Sequence, residues 1–376
     1  IRELSLVQTE TLAPNPQGAV NAGTPPPGKI LHPGGPIRHV FFILKENRSY
    51  DQILGDMPNG DGDPKLTFFG RRVTPNQHAI AQRFGLFDNT YTSGEVSDSG
   101  HNWSDGAFAN DYIERMWPAI YGGRNADDQT NTGAGAGVPA EGYIWDAARR
   151  AGVSFRDYGE MTTAPTLQGR TDPHYVGWNL DYSDVDRYKE WKHEFDRFVA
   201  SGTLPQFEYL WVPNDHTYGT RPGKLAPASL IAQNDFAVGL IVEAISHSKV
   251  WGSSAIFIIE DDSQDGADHV SDQRTTFYLA SPYAAGGTVH EHYATVSVLR
   301  TIELLLGMQP LSNYDATAAP LYAAFGTIPN LAPFDAIPPL IDLTTRNAKV
   351  AYGASETARL DFSRPDAAAP GSLSTR

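Results

Sequence analysis

The chain has 376 residues, 40% of them hydrophobic and 11% aromatic, which supplies ample core material and excludes a disordered protein. Its formal net charge of -15 argues against a protein that binds nucleic acid, because such binding relies on clustered Lys and Arg. The absence of Cys excludes disulfides, thiolate nucleophiles and Cys-ligated zinc, and the many carboxylates leave metal binding open.

No run of about 18 apolar residues occurs, so we expect no segment of this chain to span a membrane. The sequence begins at Ile1 rather than Met, which indicates that a signal peptide or an upstream domain was removed. Residues 1–36 are rich in Pro, Gly and Asn and predict an extended arm or linker before a folded domain over 37–364. The Ala-, Pro- and Ser-rich residues 365–376 predict a flexible tail.

Between these ends, short apolar runs alternate with amphipathic patterns. The predicted strands are 37–44, 153–158, 207–212, 255–259 and 276–280. The predicted helices are 104–116, 143–151, 185–200, 229–246 and 295–306. This alternation predicts an α/β fold with a mostly parallel sheet covered by helices on both faces. Residues 119–141 interrupt it with a Gly-rich stretch, which we interpret as a flexible surface insertion rather than a nucleotide-binding loop.

Polar side chains follow three of the predicted strands at the point where each strand ends. Glu46 and Asn47 follow the first strand, His216 follows the third, and Asp261 and Asp262 follow the fourth. Because ligands of open α/β sheets bind beyond the carboxyl ends of the strands, we expect these side chains to share one edge. Adjacent carboxylates repel each other unless a cation lies between them, so this edge is a candidate site for a divalent metal ion. For an isolated Asp pair, a solvated turn or a helix cap is the alternative.

A serine-rich segment precedes one of the predicted helices. Residues 95–103 lead into the helix predicted from 104, and a serine placed there would have helix N–H groups pointing towards the oxyanion that it attacks. Ser97 is therefore a candidate nucleophile, with helix capping as the alternative role. The patterns Gly-x-Ser-x-Gly and His-Glu-x-x-His are both absent, which disfavours an α/β-hydrolase esterase and a zinc peptidase.

The sequence HVFFILKENRSYDQILG at 39–55 resembles the opening motif of the bacterial phosphoesterase family that contains phosphatidylcholine-type phospholipases C and metal-dependent acid phosphatases. The similarity continues through SGEVSDSGHNWS at 93–104, VPNDHTYGTRPG at 212–223, IEDDSQDGADHV at 259–270 and SVLRTIELLLG at 297–307. This resemblance implies the alkaline-phosphatase-like fold, a central mostly parallel sheet flanked by helices in a three-layer sandwich. The motifs also look like those of exported bacterial domains that sometimes follow a β-propeller, which implies a secreted or periplasmic protein with a possible upstream propeller.

The resemblance also implies roles for individual residues. Ser97 stands four residues before His101, as the superfamily nucleophile stands before a polar residue, and both are expected to be catalytic. His216 and His269 match histidines that flank the substrate phosphate. Gln273 stands where relatives often have a histidine, which favours one divalent ion over a two-zinc site. The residues expected to bind that ion are Glu46, Asn47, Ser97, Asp261 and Asp262.

The function implied is metal-dependent hydrolysis of phosphate esters through a seryl nucleophile, with a phosphomonoester as the first choice of substrate. Zn²⁺, Mn²⁺, Mg²⁺ and Ca²⁺ remain open as the ion, because oxygen ligands favour hard ions while histidines admit zinc. One alternative is a phospholipase C-type phosphodiesterase that acts on a phospholipid head group. The alternative that is not an enzyme is a surface-binding protein on a degenerate phosphatase scaffold.

Overall fold

The computed structural model of the protein describes residues 30–122, 124, 129–130, 132–263 and 266–363. Most of the predicted N-terminal arm and the whole predicted tail therefore lie outside the described residues. Within the described part of the arm, Ile30 and Leu31 are buried in the hydrophobic core. The core of the fold thus includes chain that precedes the first strand.

The central sheet has five strands in the order β4-β5-β1-β6-β7. Their bounds are β1 (His39–Lys45), β4 (Phe155–Tyr158), β5 (Phe207–Trp211), β6 (Ser254–Glu260) and β7 (Phe277–Ala280). The first four are mutually parallel and β7 is antiparallel to β6, which confirms the predicted mostly parallel sheet. Two small parallel pairs flank it, β2 (Leu86–Phe87) with β8 (Thr288–Val289) and β3 (Thr90–Tyr91) with β9 (Tyr293–Ala294).

Both faces of the sheet are covered, as the continuous apolar character of its strands requires. Successive residues of β1 point to opposite faces, so Phe42 and Leu44 join one core cluster while Phe41 and Ile43 join another. The helices in the described residues are α1 (Tyr50–Leu54), α2 (Pro75–Phe84), α3 (Ser97–Gly106), α4 (Asp111–Tyr121), α5 (Ile144–Ala151), α6 (Asp184–Ser201), α7 (Pro227–Ser246), α8 (Thr295–Leu306), α9 (Asn313–Thr317) and α10 (Ala354–Thr357).

Four of the predicted helices are present within two residues of their expected ends, but the helix predicted over 104–116 is wrong. That stretch contains the end of α3 and the beginning of α4. Ala107 adopts a left-handed conformation with φ 53°, which ends α3, and the Asn110 side chain caps α4 by accepting a hydrogen bond from the Ile113 amide. Helix α3 begins at Ser97, so the candidate nucleophile opens the helix instead of lying in a loop before it.

Two other segments bear on the sequence expectations. The side-chain amide of Asn110 donates to the carbonyls of Ala136 and Gly137, so the described part of the Gly-rich insertion packs against the start of α4. Among the described residues, α7 is the one helix long and apolar enough to cross a membrane by length and composition. Its apolar character is that of a core helix, since 72% of its most apolar 18-residue window is buried inside the protein.

Candidate active site

The carboxyl ends of β1, β5 and β6 are held together by a buried lysine. Lys45 Nζ lies 2.9 Å from Asp215 Oδ2 and 2.5 Å from Glu260 Oε1. Burial by itself lowers the pKa of Lys45, but the Asp215 and Glu260 carboxylates outweigh it and raise the pKa above its ordinary value. Because Glu46 follows Lys45 and Asp261 follows Glu260, this ion pair fixes the strand ends from which the expected metal ligands project.

The turn after β1 is built around Asn47, whose backbone is left-handed with φ 63°, a conformation that Asn tolerates better than most residues. The Glu46 amide donates to Asp215 Oδ1 at 3.1 Å. Arg48 donates to the backbone carbonyls of Asp215 and His216. The loop after β1 is therefore tied to the turn Pro213–His216 that follows β5.

Ser97 enters this edge of the sheet from the first residue of α3. Its Oγ lies 2.9 Å from Asp262 Oδ2 and 3.1 Å from Asn47 Oδ1, within hydrogen-bond distance of both. One turn along, Gly100 packs directly on Asp261, where an added Cβ would lie 2.6 Å from the Asp261 carbonyl oxygen. A side chain at position 100 would push the helix away from the loop after β6, so glycine permits the approach of Ser97.

His101 follows on the same face of α3 and lies between two groups of carboxylates. Its Nε2 is 3.1 Å from Glu46 Oε1 and 3.7 Å from Asp261 Oδ2, and its Nδ1 is 3.2 Å from Glu160 Oε1. Burial by itself lowers the pKa of His101, but the Glu160 and Glu46 carboxylates outweigh burial and raise it well above 6.5. Burial and the charge of Glu160 likewise raise the pKa of Asp105 well above 3.8.

The structure thus brings six of the expected site residues together at one sheet edge. They are Glu46, Asn47, Ser97, His101, Asp261 and Asp262, and none is more than 2% exposed. Three carboxylates this close and this deeply buried repel one another, and a divalent cation compensates such charge. Carboxylate, amide and hydroxyl oxygens are ligands that Mg²⁺, Mn²⁺ and Ca²⁺ accept, so the donor set fits the expected ion.

His216 ends the turn that follows β5 and lies beside an aromatic cluster. Its Nδ1 is 3.0 Å from the Thr217 carbonyl oxygen, and its ring packs edge-on against Trp178 at a centroid distance of 4.9 Å. Trp178 stacks on Trp211, whose Nε1 donates to Glu46 Oε1 at 2.8 Å. His216 is therefore separated from Glu46 by two tryptophan rings in this chain of contacts.

His269 lies in a second cluster of charges in the loop after β6. Its Nδ1 is 2.6 Å from Asp51 Oδ2, and its Nε2 is 3.4 Å from Asp61 Oδ1. The hydrogen bond to Asp51 raises the pKa of His269 above its ordinary value. Arg274 joins the same cluster by contacting Asp51 and Asp268. The contacts of His269 therefore tie its loop to α1.

The sequence reasoning missed two residues that contact the candidate site. Glu160 follows β4 by two residues, so the rule that ligands gather beyond strand ends would have found it. Trp211, the last residue of β5, could not be found this way, because an apolar strand gives no sign that one indole N–H donates to Glu46.

The sequence matches the Phosphoesterase family over residues 63–309. The chain belongs to this family. The matched region includes Ser97 and Asp261 and begins after Glu46 and Asn47. Membership of the Phosphoesterase family supports the hydrolysis of phosphate esters as the class of reaction.

Solved structures share the fold at low sequence identity. A protein in the alkaline phosphatase superfamily from Vibrio parahaemolyticus is 15% identical, with a TM-score of 0.56 over 83% of this chain and 78% of that chain. The lipoteichoic acid synthase LtaP from Listeria monocytogenes is 10% identical, with a TM-score of 0.52 over 80% of this chain and 81% of that chain. No match was found among the curated proteins. The predicted alkaline-phosphatase-like fold is confirmed.

Proposed function

We propose that this member of the Phosphoesterase family is a metal-dependent phosphomonoesterase with Ser97 as its nucleophile. The observation that carries the proposal is the position of the Ser97 hydroxyl, which opens α3 and lies within hydrogen-bond distance of Asn47 and Asp262. The neighbouring Ser99 is committed to capping, since its Oγ accepts from the Glu95 amide and donates to the Val96 carbonyl. Its hydroxyl is therefore a weaker candidate for attack.

The residues that would hold the ion are Glu46, Asn47, Ser97, Asp261 and Asp262. A divalent ion bound there would lower the pKa of a ligating hydroxyl and withdraw charge from phosphoryl oxygens. An oxygen-rich donor set favours Mg²⁺, Mn²⁺ or Ca²⁺, and a nearby imidazole would admit Zn²⁺.

In the proposed reaction, Ser97 Oγ attacks the phosphorus of a monoester. A bond forms between that oxygen and phosphorus, the bond from phosphorus to the ester oxygen breaks, and the hydroxyl proton ends on the departing alcohol. Water then hydrolyses the phosphoseryl ester, which releases phosphate and restores the hydroxyl. The first-turn amides of α3 have protein partners of their own, since the Asp98 amide donates to the Tyr121 hydroxyl and the Ser99 and Gly100 amides donate to the Val96 carbonyl.

His216 and His269 have proposed roles beside the substrate. His216 belongs to the turn whose carbonyls are held by Arg48, and His269 belongs to the loop that carries Asp262 into the site. Each is proposed to contact the substrate phosphate or the leaving group. Replacing either by Gln is expected to lower turnover while the protein keeps its bound metal and its thermal unfolding temperature.

The experiment that tests the proposal combines metal removal with a choice of substrates. The protein is stripped with a chelator, each divalent ion is added back separately, and turnover of p-nitrophenyl phosphate and bis(p-nitrophenyl) phosphate is measured. We expect monoester turnover to disappear on stripping and to return with one or two of the ions. A protein that binds metal yet turns over no ester would overturn the proposal in favour of the surface-binding alternative.

A second candidate function, a phospholipase C-type phosphodiesterase, is favoured by the aromatic cluster next to Glu46. Trp178 is partly exposed and contacts Trp211, His216 and the carbonyl of Phe362. Aromatic faces attract quaternary ammonium groups by cation–π interaction, as a choline head group would require. Faster turnover of the diester, with inhibition by tetramethylammonium, would select this function over the monoesterase.

The cellular setting and domain division are proposals that rest on the sequence. We propose a secreted or periplasmic protein whose phosphoesterase domain spans 37–364, with Ile30 and Leu31 of the preceding arm packed into its core, and which follows an upstream β-propeller. Expression of the complete gene, followed by cell fractionation and mass spectrometry of the mature N-terminus, would test the location and the upstream domain together.

A further inference from the structure

His101 has a ligand-like atom on each side of a fully buried ring. One side, Nε2, faces Glu46 and Asp261, and the other side, Nδ1, faces Glu160 Oε1 at 3.2 Å. The imidazole is only 1% exposed, so it exchanges little with water. Its edge contact with Trp211, at a centroid distance of 5.3 Å, limits rotation of the ring.

A second buried carboxyl group, that of Asp105, lies next to Glu160 behind the His101 ring. Donor atoms of His101, Asp105 and Glu160 all lie within 4.8 Å of one another, and Asp105 and Glu160 are at most 2% exposed. The Tyr209 hydroxyl donates to Asp105 Oδ1 at 2.5 Å. A line of contacts therefore runs from the proposed metal site through His101 and Glu160 to Asp105 and Tyr209.

We propose that His101 is a further ligand of the ion through Nε2, and that Glu160 is a positioning residue that accepts a hydrogen bond from the His101 Nδ1–H group. This inference rests on the proposed function, because it adds a nitrogen to the metal site proposed there. The Asp105 carboxyl group lies beside Glu160 on the side away from the proposed ion, and the Tyr209 hydroxyl donates to Asp105.

The chemistry of imidazole supports this assignment. A neutral imidazole has one lone pair and one N–H, so coordination through Nε2 requires the proton on Nδ1. A carboxylate that accepts a hydrogen bond from this N–H group fixes the tautomer and the ring orientation and makes the coordinating nitrogen more basic. Glu160 lies on the side of the ring that this arrangement requires, and Glu46 and Asp261 lie on the other.

A nitrogen ligand would change which ions the site prefers. Five oxygen donors alone favour hard ions, whereas imidazole raises the affinity for Zn²⁺ and Co²⁺ more than for Mg²⁺. The proposal therefore predicts that removing the imidazole weakens Zn²⁺ and Co²⁺ binding far more than Mg²⁺ binding. This selectivity separates coordination from a general loss of structure, which would weaken all ions together.

The test uses the chelator-stripped full chain, with Co²⁺, Zn²⁺ and Mg²⁺ affinity, ion stoichiometry and the visible spectrum of bound Co²⁺ as readouts. We expect one ion per chain in the unsubstituted protein. His101→Gln should lower Zn²⁺ and Co²⁺ affinity by about 100-fold or more and shift the Co²⁺ spectrum, while Mg²⁺ affinity changes less than about tenfold. Glu160→Gln should lower Zn²⁺ affinity by about 10 to 100-fold with the spectrum nearly retained.

The matched control is Glu208→Gln, which removes a buried carboxylate from β5 and should leave metal affinity unchanged. Pulsed EPR of the Mn²⁺-loaded unsubstituted protein detects a coordinated nitrogen directly, and this measurement does not depend on the folding of any variant. Coupling to a coordinated imidazole nitrogen is the expected result. An unchanged Co²⁺ spectrum in His101→Gln, or no nitrogen coupling in the unsubstituted protein, would overturn the assignment.

Three further outcomes identify which idea has failed. If two ions bind per chain and Glu160→Gln removes one, His101 and Glu160 belong to a second cation site and the positioning role is wrong. If Asp262→Asn leaves the affinity for every ion unchanged, the metal site of the proposed function is itself wrong. If Asp262→Asn abolishes binding while His101→Gln does not alter Zn²⁺ affinity, the failure is confined to the role of His101.

Discussion

The loops after β1 and β6 meet twice, and the two meetings are chemically different. At the strand ends, Glu46 meets Asp261 beside the Ser97 hydroxyl and the His101 imidazole. A few residues further along the chain from each strand end, Asp51 of α1 meets His269 in the second cluster. Both clusters combine buried carboxylates with histidine, so residue type alone does not separate them.

Arg274 accounts for the difference. Its Nε lies 2.9 Å from Asp268 Oδ1 and its Nη2 lies 3.1 Å from Asp51 Oδ1, which gives the second cluster a guanidinium of its own. The strand-end cluster instead directs the amide oxygen of Asn47 and a carboxylate oxygen of Asp262 towards the Ser97 hydroxyl. In the second cluster, the arginine neutralises two carboxylates and the resulting ion pairs hold the loops together. In the strand-end cluster, the carboxylates surround a candidate nucleophile, an arrangement that suits the binding of a metal ion and catalysis.

Removing the nucleophile should produce the largest effect. Ser97→Ala is expected to lower phosphate-ester turnover by about 10³-fold or more with the thermal unfolding temperature nearly unchanged, because the residue is proposed to form the covalent intermediate. Ser99→Ala is the matched control, and its loss of a helix cap should cost only about 1 kcal/mol of stability with turnover largely kept. Near-normal turnover in Ser97→Ala would show that Ser97 is not the nucleophile and would contradict the proposed catalytic role of the strand-end cluster.

Matched Asp→Asn changes in the two clusters test the comparison directly. Asp262→Asn should abolish tight metal binding, measured by metal analysis after dialysis, because it removes a proposed ligand. Asp268→Asn should keep the metal but lower the free energy of unfolding by about 3 kcal/mol, because it breaks a buried ion pair with Arg274. The reverse pattern, with metal lost only in Asp268→Asn, would exchange the roles of the clusters.

The substitution His269→Ala tests whether His269 also contacts the substrate at the strand-end cluster. His269 is hydrogen-bonded to Asp51 but is exposed, so its removal should leave folding and metal content almost unchanged. We expect turnover to fall by roughly tenfold if the imidazole contacts the substrate phosphate as proposed. Unchanged kcat and KM would confine His269 to the second cluster.

A buried carboxylate away from both clusters should give the smallest effect. Glu208 accepts a hydrogen bond from the Trp191 indole, and burial raises its pKa to about 8 from an ordinary 4.5. The folded state therefore holds a proton that the unfolded chain releases near pH 4.5, so this contribution to stability is lost as pH rises from about 4.5 to 8.

Glu208→Gln cannot lose that proton, so its free energy of unfolding should fall less with pH than that of the unsubstituted protein. We expect a difference on the order of 1 kcal/mol between pH 6 and 9, measured by urea unfolding at each pH. Parallel stability profiles for the two proteins would show that the Glu208 carboxylate is ionised when folded.

Much of the fold was predictable because its signals are local. A buried parallel strand is a short apolar run, and its end is marked by the first polar residue, so β1 and β6 and the residues after them could be read directly. The start of α3 could not, because its first turn is Ser97, Asp98 and Ser99, residues that are equally common in caps and loops.

The sequence by itself therefore determined the α/β class, the strand ends and the candidate residues Glu46 and Asp261. Only the tertiary structure decided that Arg274 neutralises Asp51, a residue 223 positions away along the chain, and that His101 lies between Glu46 and Glu160. The physical reason is that the charge environment of a buried carboxylate depends on which side chains fold against it. No local pattern carries that information, whereas apolar runs and the polar residues that end them are local.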